Sequence, residues 1–265
     1  MVRRNGGSNG CVLVTGASAG IGQELAKAFV EGGFSLVLLA RSRDKLRELA
    51  EDLKAVHGAQ VTIVPADLND PKAPQGIFDA VREKAIEVDI LVNNAGVLFE
   101  GAFAATALED HLRLLQVNVI ALTALTRLFL GPMLDRKSGR ILNVASAAAF
   151  MPIPSLAVYG ASKAYVLSLT EALSEELKGT GVTATALCPG FTDTGIVAQS
   201  KRGRRIPSLA VMDAKAVAQE GYSACLSGRT VRVAGLANNV AVSGIQILPR
   251  WLVRTVGGLI AGQTT

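Results

Sequence analysis

Short, almost wholly apolar runs alternate along this chain with longer segments of helical periodicity, and that alternation constrains the fold more than any other feature. The runs at 11–15, 34–39, 61–64, 90–92, 140–144 and 182–187 are rich in valine, leucine and isoleucine with few polar residues between them. Strands that are buried on both faces read this way. Helical patterns occupy 20–31, 43–57, 74–87, 108–134, 158–177 and 213–226. Strand and helix in alternation predict a single α/β domain, a doubly wound, Rossmann-like parallel sheet covered by helices on both faces. The expected organisation is a flexible leader over residues 1–10, the domain itself over 11–246, and a helical tail over 247–265. The apolar face of that tail carries Trp251 and Leu252 and is expected to dock on the domain or a partner subunit in preference to a membrane.

Composition narrows the functional classes. The net charge of +5 is scattered, with clusters only at Arg3-Arg4, Arg41-Arg43-Lys45 and Lys201 to Arg205, so no basic stripe suited to nucleic acid emerges. An anionic small ligand accounts for it more simply. The three cysteines, Cys11, Cys188 and Cys225, have no metal-ligand spacing and lie among apolar residues. They suggest reduced core thiols, a cytoplasmic protein and no metal site. No apolar run reaches the length of a membrane span. The stretch 112–134 is apolar on nearly every side, so a second copy is expected to cover the face that the sheet does not, giving a homodimer or homotetramer.

Directly after the first strand comes Thr15-Gly16-Ala17-Ser18-Ala19-Gly20-Ile21-Gly22, followed by a helical pattern. Glycine allows a sharp turn and close approach to a pyrophosphate, and the helix N-terminus offers free N–H groups and a favourable dipole. In this strand-to-helix context Gly16, Ser18, Gly20, Ile21 and Gly22 are candidate dinucleotide contacts. The end of the second strand bears on which nicotinamide cofactor is used. An acid there would hold the ribose hydroxyls and repel a 2′-phosphate, but the chain reads Leu39-Ala40-Arg41-Ser42-Arg43. A guanidinium can make paired, charge-assisted hydrogen bonds to that phosphate, so Arg41 points to NADP(H).

Tyr159 and Lys163 are four apart at the start of a helical pattern and so share a face. Lowering a phenol pKa from near 10 by roughly 3 requires about 4 kcal/mol of preference for the phenolate. An ammonium a few ångströms away supplies about that much at an effective dielectric of about 20, nearly enough on its own. Ser146 follows the fifth strand and can donate to a carbonyl. Asn118 sits among apolar residues, where a buried amide is costly unless bonded to something specific; it could anchor a water in a proton relay.

TGASAGIG at 15–22, NNAG at 93–96, Asn118, Ser146, YGASK at 159–163 and PGFTDT at 189–194 together resemble the short-chain dehydrogenase/reductase family, over about residues 10–236. The resemblance implies an oxidoreductase that moves a hydride between the cofactor and a small carbonyl or alcohol substrate. It implies Tyr159 as general acid and base, Lys163 as the group that lowers its pKa and binds the nicotinamide ribose, Ser146 on the carbonyl oxygen and Asn118 in the relay. It also implies that Asp67 and Leu68 lie near the adenine, that Asn94, Ala95 and Gly96 lie along the adenosine ribose, and that Pro189, Gly190, Thr192 and Thr194 hold the nicotinamide amide. Two departures are Ala145 in place of a frequent serine and the absence of the usual strand motif ending in two glycines, where Arg229 to Gly235 stand instead. The segment 195–209 is expected to fold over an apolar substrate pocket that also takes in residues 150–153. The main rival is a non-catalytic NADPH-binding sensor or scaffold, which would have no need of Ser146, Tyr159 and Lys163.

Overall fold

The computed structural model describes residues 9–193 and 211–260. Within them run β1 (Cys11–Thr15), α1 (Gly20–Glu31), β2 (Ser35–Ala40), α2 (Arg43–His57), β3 (Val61–Pro65), α3 (Ala73–Glu83) and β4 (Ile90–Asn93). Next come α4 (Leu108–Leu115), which passes through a wide π turn at Gln116–Ala121 into α5 (Leu122–Asp135), then β5 (Gly139–Val144) and α6 (Ala157–Glu176). The chain ends with β6 (Val182–Cys188), α7 (Ala214–Leu226), β7 (Val231–Val233), α8 (Leu236–Ile247) and α9 (Arg250–Ile260). The seven strands form one sheet in the order β3-β2-β1-β4-β5-β6-β7, every adjacent pair parallel.

The strands are mostly apolar because the sheet is covered twice. Successive residues point to opposite faces, so Val12, Val14, Leu36 and Leu38 join Leu25 and Phe29 of α1, Leu46 and Leu49 of α2 and Val217 of α7 in one core. Leu13, Val37, Leu39, Leu91 and Ile141 join Ile77 and Val81 of α3 and Leu125 and Phe129 of α5 in the other. The result is the single doubly wound α/β domain that the alternation predicts.

Helix Leu108–Asp135 is long and apolar enough to cross a bilayer by length and composition alone. Its inner face places Val117, Ala121, Leu125, Phe129 and Met133 in the core against the sheet, which identifies it as a core helix. Its outer face leaves Leu108, Leu112, Leu115 and Ile120 exposed.

Three expectations need correction. α3 ends at Glu83, short of the expected 87, because Ala85 takes a left-handed φ of 52° and the Ile86 N–H donates back to the Val81 carbonyl, tucking Ile86 against the core. The segment 229–235 forms β7 although the usual motif is missing; three residues interrupted by Arg232 are too short for periodicity to reveal. The tail is two helices, and the first begins at Leu236. They break at Leu248, held at ψ 145° by the following Pro249, which excludes helical geometry for the residue before it. α9 buries Val253 and lies so close to the loop after β5 that a Cβ on Gly257 would stand 2.1 Å from the Pro152 carbonyl oxygen.

Candidate active site

In a parallel sheet all C-terminal strand ends lie on one edge, and the candidate residues follow six of those ends in turn. The glycine turn comes after β1, Arg41 after β2, Asp67 after β3, Asn94 to Gly96 after β4, Ser146 after β5, and Pro189 to Thr192 after β6. The chain reverses its direction of winding between β1 and β4, where doubly wound sheets open a ligand crevice.

The turn after β1 is set by backbone geometry. Gly16 and Gly20 take φ of 66° and 58°, and a Cβ on Gly22 would fall 2.3 Å from the Gly16 carbonyl oxygen. α1 then starts without a side-chain cap or an acidic residue in its first turn. α2, by contrast, is capped by the Ser42 hydroxyl and carries Asp44 there. The free amides of α1 therefore favour an anion, and the close packing of Gly22 fits a pyrophosphate cradle. Asn94 holds the turn by donating through Nδ2 to the carbonyls of Thr15 and Gly16 at 2.9 and 3.3 Å. Arg41 is exposed just beyond β2. Asp67 is exposed and accepts from the Asn69 N–H at 3.0 Å, while Leu68 is buried. A Cβ added to Gly96 would lie 3.4 Å from Asn118 Oδ1 and 3.6 Å from Lys163 Nζ, so the NNAG segment runs beside the catalytic candidates.

Those candidates converge. The Ser146 hydroxyl accepts from the Ala148 N–H at 3.1 Å and lies 3.4 Å from the Pro189 carbonyl oxygen, to which it donates, and it is near enough to the Tyr159 phenol to act on its pKa. Lys163 is buried, donates through Nζ to the Val144 carbonyl at 2.8 Å, and places that nitrogen 5.8 Å from the centre of the Tyr159 ring. Asn118 occupies the π turn, a local widening often found at functional sites. Its Oδ1 accepts from the Val97 N–H at 2.9 Å, and its Nδ2 donates to the Val97 carbonyl at 3.0 Å and to Ser162 Oγ at 3.3 Å. Ser162 donates in turn to the Tyr159 carbonyl at 2.7 Å. The specific bond that a buried amide requires is thus made to the backbone beyond NNAG and, through Ser162, to the helix of the tyrosine.

Burial dominates the electrostatics of the site. Burial pushes the Tyr159 phenol above its ordinary range, with the Ser146 hydrogen bond opposing it more weakly, and burial also lowers Lys163 to about 8. Loss of water shifts both groups toward their neutral forms, although an amine near 8 is still mostly charged at neutral pH. In the chain alone the ammonium therefore does not overcome desolvation, and the phenolate needs further positive charge close by.

Pro189 is buried after β6, and its carbonyl accepts from the Ala147 N–H at 2.8 Å. A Cβ on Gly190 would meet Asn238 of α8 at 2.4 Å. Thr192 is buried and bridges to Met212, whereas Thr194 and the segment 195–209 lie outside the described residues. Sequence reasoning missed Thr15 as a positioning residue: its hydroxyl donates to the Val92 carbonyl and accepts from the N–H groups of Asn94 and Ala95. It also missed a buried amide ladder. Asn93 Nδ2 donates to Thr126 Oγ1 at 3.0 Å and Asn143 Oδ1 at 2.9 Å, and Asn143 Nδ2 donates to Thr170 Oγ1 at 2.9 Å. The available signal was two asparagines at the ends of otherwise apolar strands.

Among the described residues, no group of three or more potential ligands could hold a metal ion. A doubly wound sheet with a glycine turn at its switch point and a Ser-Tyr-Lys cluster on the same edge is the architecture of a dinucleotide-dependent oxidoreductase. A family model described as short chain dehydrogenase matches residues 10–205, and the chain belongs to that family of hydride-transferring, nicotinamide-dependent oxidoreductases. It is 35% identical over 191 residues to ketoacyl reductase HetN of Nostoc sp., the match covering 72% of this chain and 66% of that relative's length. Among solved structures, a short-chain dehydrogenase from Sphingobium yanoikuyae in complex with NADPH superposes with a TM-score of 0.81 at 30% identity, covering 97% of each chain. A dehydrogenase from Burkholderia phymatum in complex with NAD gives 0.81 at 29% identity, over 89% of this chain and 92% of that one.

Proposed function

We propose that the chain catalyses reversible hydride transfer between NADP(H) and a carbonyl or alcohol substrate, with Tyr159 donating the proton in reduction and accepting it in oxidation. The observation that carries this reading is the buried Lys163, whose Nζ lies 5.8 Å from the centre of the Tyr159 ring, on the sheet edge where Ser146 and the glycine turn also meet. When bound, the nicotinamide supplies or accepts the hydride, and its oxidised ring adds positive charge beside the phenol. The glycine turn and the first amides of α1 hold the pyrophosphate. Asp67, Leu68 and Asn94 to Gly96 would border the adenosine, and Pro189, Gly190 and Thr192, with Thr194 outside the described residues, would hold the nicotinamide amide.

Ser146 orients the substrate oxygen toward the phenol, and Tyr159 passes the proton to it. Lys163 holds the ribose and, once charged, favours the phenolate. Asn118 fixes the loop after β4 and the start of α6, which keeps the relay in register. Arg41 stands where an acid would select NAD, and this favours NADP(H). Residues 150–153 beside Ser146 favour an apolar substrate of ketone, aldehyde or 3-oxoacyl type. The exposed leucines of α4 favour a homodimer or homotetramer, and three buried thiols, Cys188 and Cys225 pushed up to about 12 and Cys11 to about 11, suit a cytoplasmic protein.

The test is NADPH consumption against ketones, aldehydes, quinones and ketoacyl thioesters, with wild type beside Tyr159→Phe and Arg41→Asp. Turnover that vanishes in Tyr159→Phe is expected; equal turnover in that variant would reject Tyr159 as the acid, and no turnover in wild type with NADPH bound would favour the non-catalytic sensor. Arg41→Asp is expected to move the NADPH-to-NADH efficiency ratio toward NADH by roughly 100-fold, the worth of a charged hydrogen bond lost and a repulsion gained. An unchanged ratio would remove Arg41 from the cofactor site.

A further inference from the structure

We infer that the outer face of α8 and α9 is a docking surface for the headgroup region of an anionic lipid bilayer. On α8 the outward residues Leu236, Val240 and Ile247 recur at helical spacing and are 83%, 65% and 84% exposed, and the helix carries no charged residue at all. On α9 the outward stripe is Trp251, Thr255 and Leu259, with Trp251 62% and Leu259 61% exposed. Opposite that stripe, Val253 and Gly257 pack on the domain at Pro152. Arg250 and Arg254, one turn apart, flank the stripe; both are exposed and neither forms an ion pair among the described residues.

Charge selects the occupant. After Glu220 the sequence contains four arginines, Arg229, Arg232, Arg250 and Arg254, and no acid or lysine. Arg232 is already paired with Glu220. A second copy seated face to face here would bring two more arginines and no carboxylate to meet them. A leaflet of anionic lipid supplies phosphates for Arg250 and Arg254 and an apolar layer for the exposed side chains, and tryptophan prefers that boundary. Helices of 12 and 11 residues are too short to cross a bilayer, so they lie in its plane. Both pack their inner sides on the segment after Ser146, α8 on Ala147–Phe150 and α9 on Pro152, which sets the docking surface directly over residues that border the catalytic serine.

Trp251 is the sole tryptophan, so its emission reports on this surface alone. The full chain is mixed, without cofactor or substrate, with vesicles of phosphatidylcholine and phosphatidylglycerol in a two-to-one ratio or of phosphatidylcholine alone, and both emission and co-sedimentation are measured. Expected are a blue shift and co-sedimentation with the mixed vesicles, weakened roughly 30-fold on pure phosphatidylcholine and likewise in Arg250→Gln/Arg254→Gln. Ile247→Ser/Leu259→Ser should abolish binding while circular dichroism and melting temperature stay unchanged. Unshifted emission with no co-sedimentation overturns the inference, as does equal binding to both vesicle types. A fall in oligomeric state by light scattering in Ile247→Ser/Leu259→Ser, without lipid binding by wild type, assigns the face to a second copy instead. The readout needs no catalysis, so it stands or falls apart from the proposed reaction.

Discussion

The half of the sheet built on β1 to β3 and the half built on β4 to β6 meet the same edge with different chemistry. In the first, the strands are mostly apolar and carry no amide side chain, and the phosphate cradle is backbone: a glycine turn and the uncapped start of α1. In the second, β4 and β5 carry Asn93 and Asn143 at paired positions, both fully buried and joined side chain to side chain. An anion is held well by N–H groups whose positions depend only on chain geometry. A proton relay needs side chains kept in register, and the second half meets that need with buried hydrogen bonds that offset much of the desolvation cost, although Asn93 Oδ1 is left without a partner. The glycine turn should therefore fail through shape, and the amide half through broken bonds.

Tyr159→Phe sharpens the contrast most. The Tyr159 hydroxyl holds no strand or loop in place, so turnover should fall by roughly 1000-fold or more while melting temperature and cofactor affinity hold. A drop in melting temperature as large as that of a core substitution would instead make the hydroxyl structural.

Lys163 gives the next effect, and its sign follows from desolvation. The folded chain holds this amine near 8 against an ordinary 10.5, so between those values the unfolded chain binds a proton that the folded chain has released. Stability from this group therefore rises with pH across that window, by about 3 kcal/mol in total, and the cost is fully present below pH 8. The buried thiols act oppositely above pH 9, since they keep protons that the unfolded chain gives up. The measurement is thus the difference between wild type and Lys163→Met in denaturant titrations of the chain alone. Parallel curves from pH 8 to 10.5 would show that the amine is solvated.

The first half was legible in the sequence almost to the residue because its rules are local. The expected helix 43–57 is α2 as observed, with Ser42 as its cap and Gly58 in the left-handed conformation at its end. The glycine turn was readable because glycine adopts the left-handed conformations at Gly16 and Gly20 with the least strain. Legibility declined toward the second half, where structure depends on contacts distant in sequence. Asn118 was recognised as a costly buried amide, yet its partner, the Val97 backbone, is set by a π turn that no periodicity announces. The electrostatic balance at Tyr159 is only half legible, because Coulomb attraction can be estimated from helical spacing whereas desolvation depends on the packing of the whole chain. β7 and the helix at Leu236 were missed because a three-residue strand and an uncharged helix lack the contrast on which patterning relies.

Gly22→Ala probes the first half. Its new Cβ would meet the Gly16 carbonyl at 2.3 Å, and backbone there cannot yield without reshaping the turn. A displacement of this size should weaken NADPH binding by roughly 100-fold, with turnover at saturating cofactor much less affected; titration calorimetry beside steady-state kinetics separates the two. Equal losses in both would mean that the turn also positions the reacting atoms, and the division between the halves would blur.

Asn143→Leu probes the second half and carries the smallest effect. The side chain keeps nearly its volume but removes the acceptor for Asn93 Nδ2 and a donor to Thr170 Oγ1. Asn93 keeps Thr126, and Thr170 still donates to the Val166 carbonyl, so the loss is one orphaned amide hydrogen and should cost about 2 kcal/mol in denaturant unfolding. Adding Asn93→Leu removes the orphan as well, so the double variant should be more stable than the sum of the two single losses predicts, by about 1 kcal/mol or more. Simple additivity would mean that the two amides do not act as a pair. The ladder would then be two separate polar residues in a core, and the physical distinction between the two halves of the sheet would rest on the glycine turn alone.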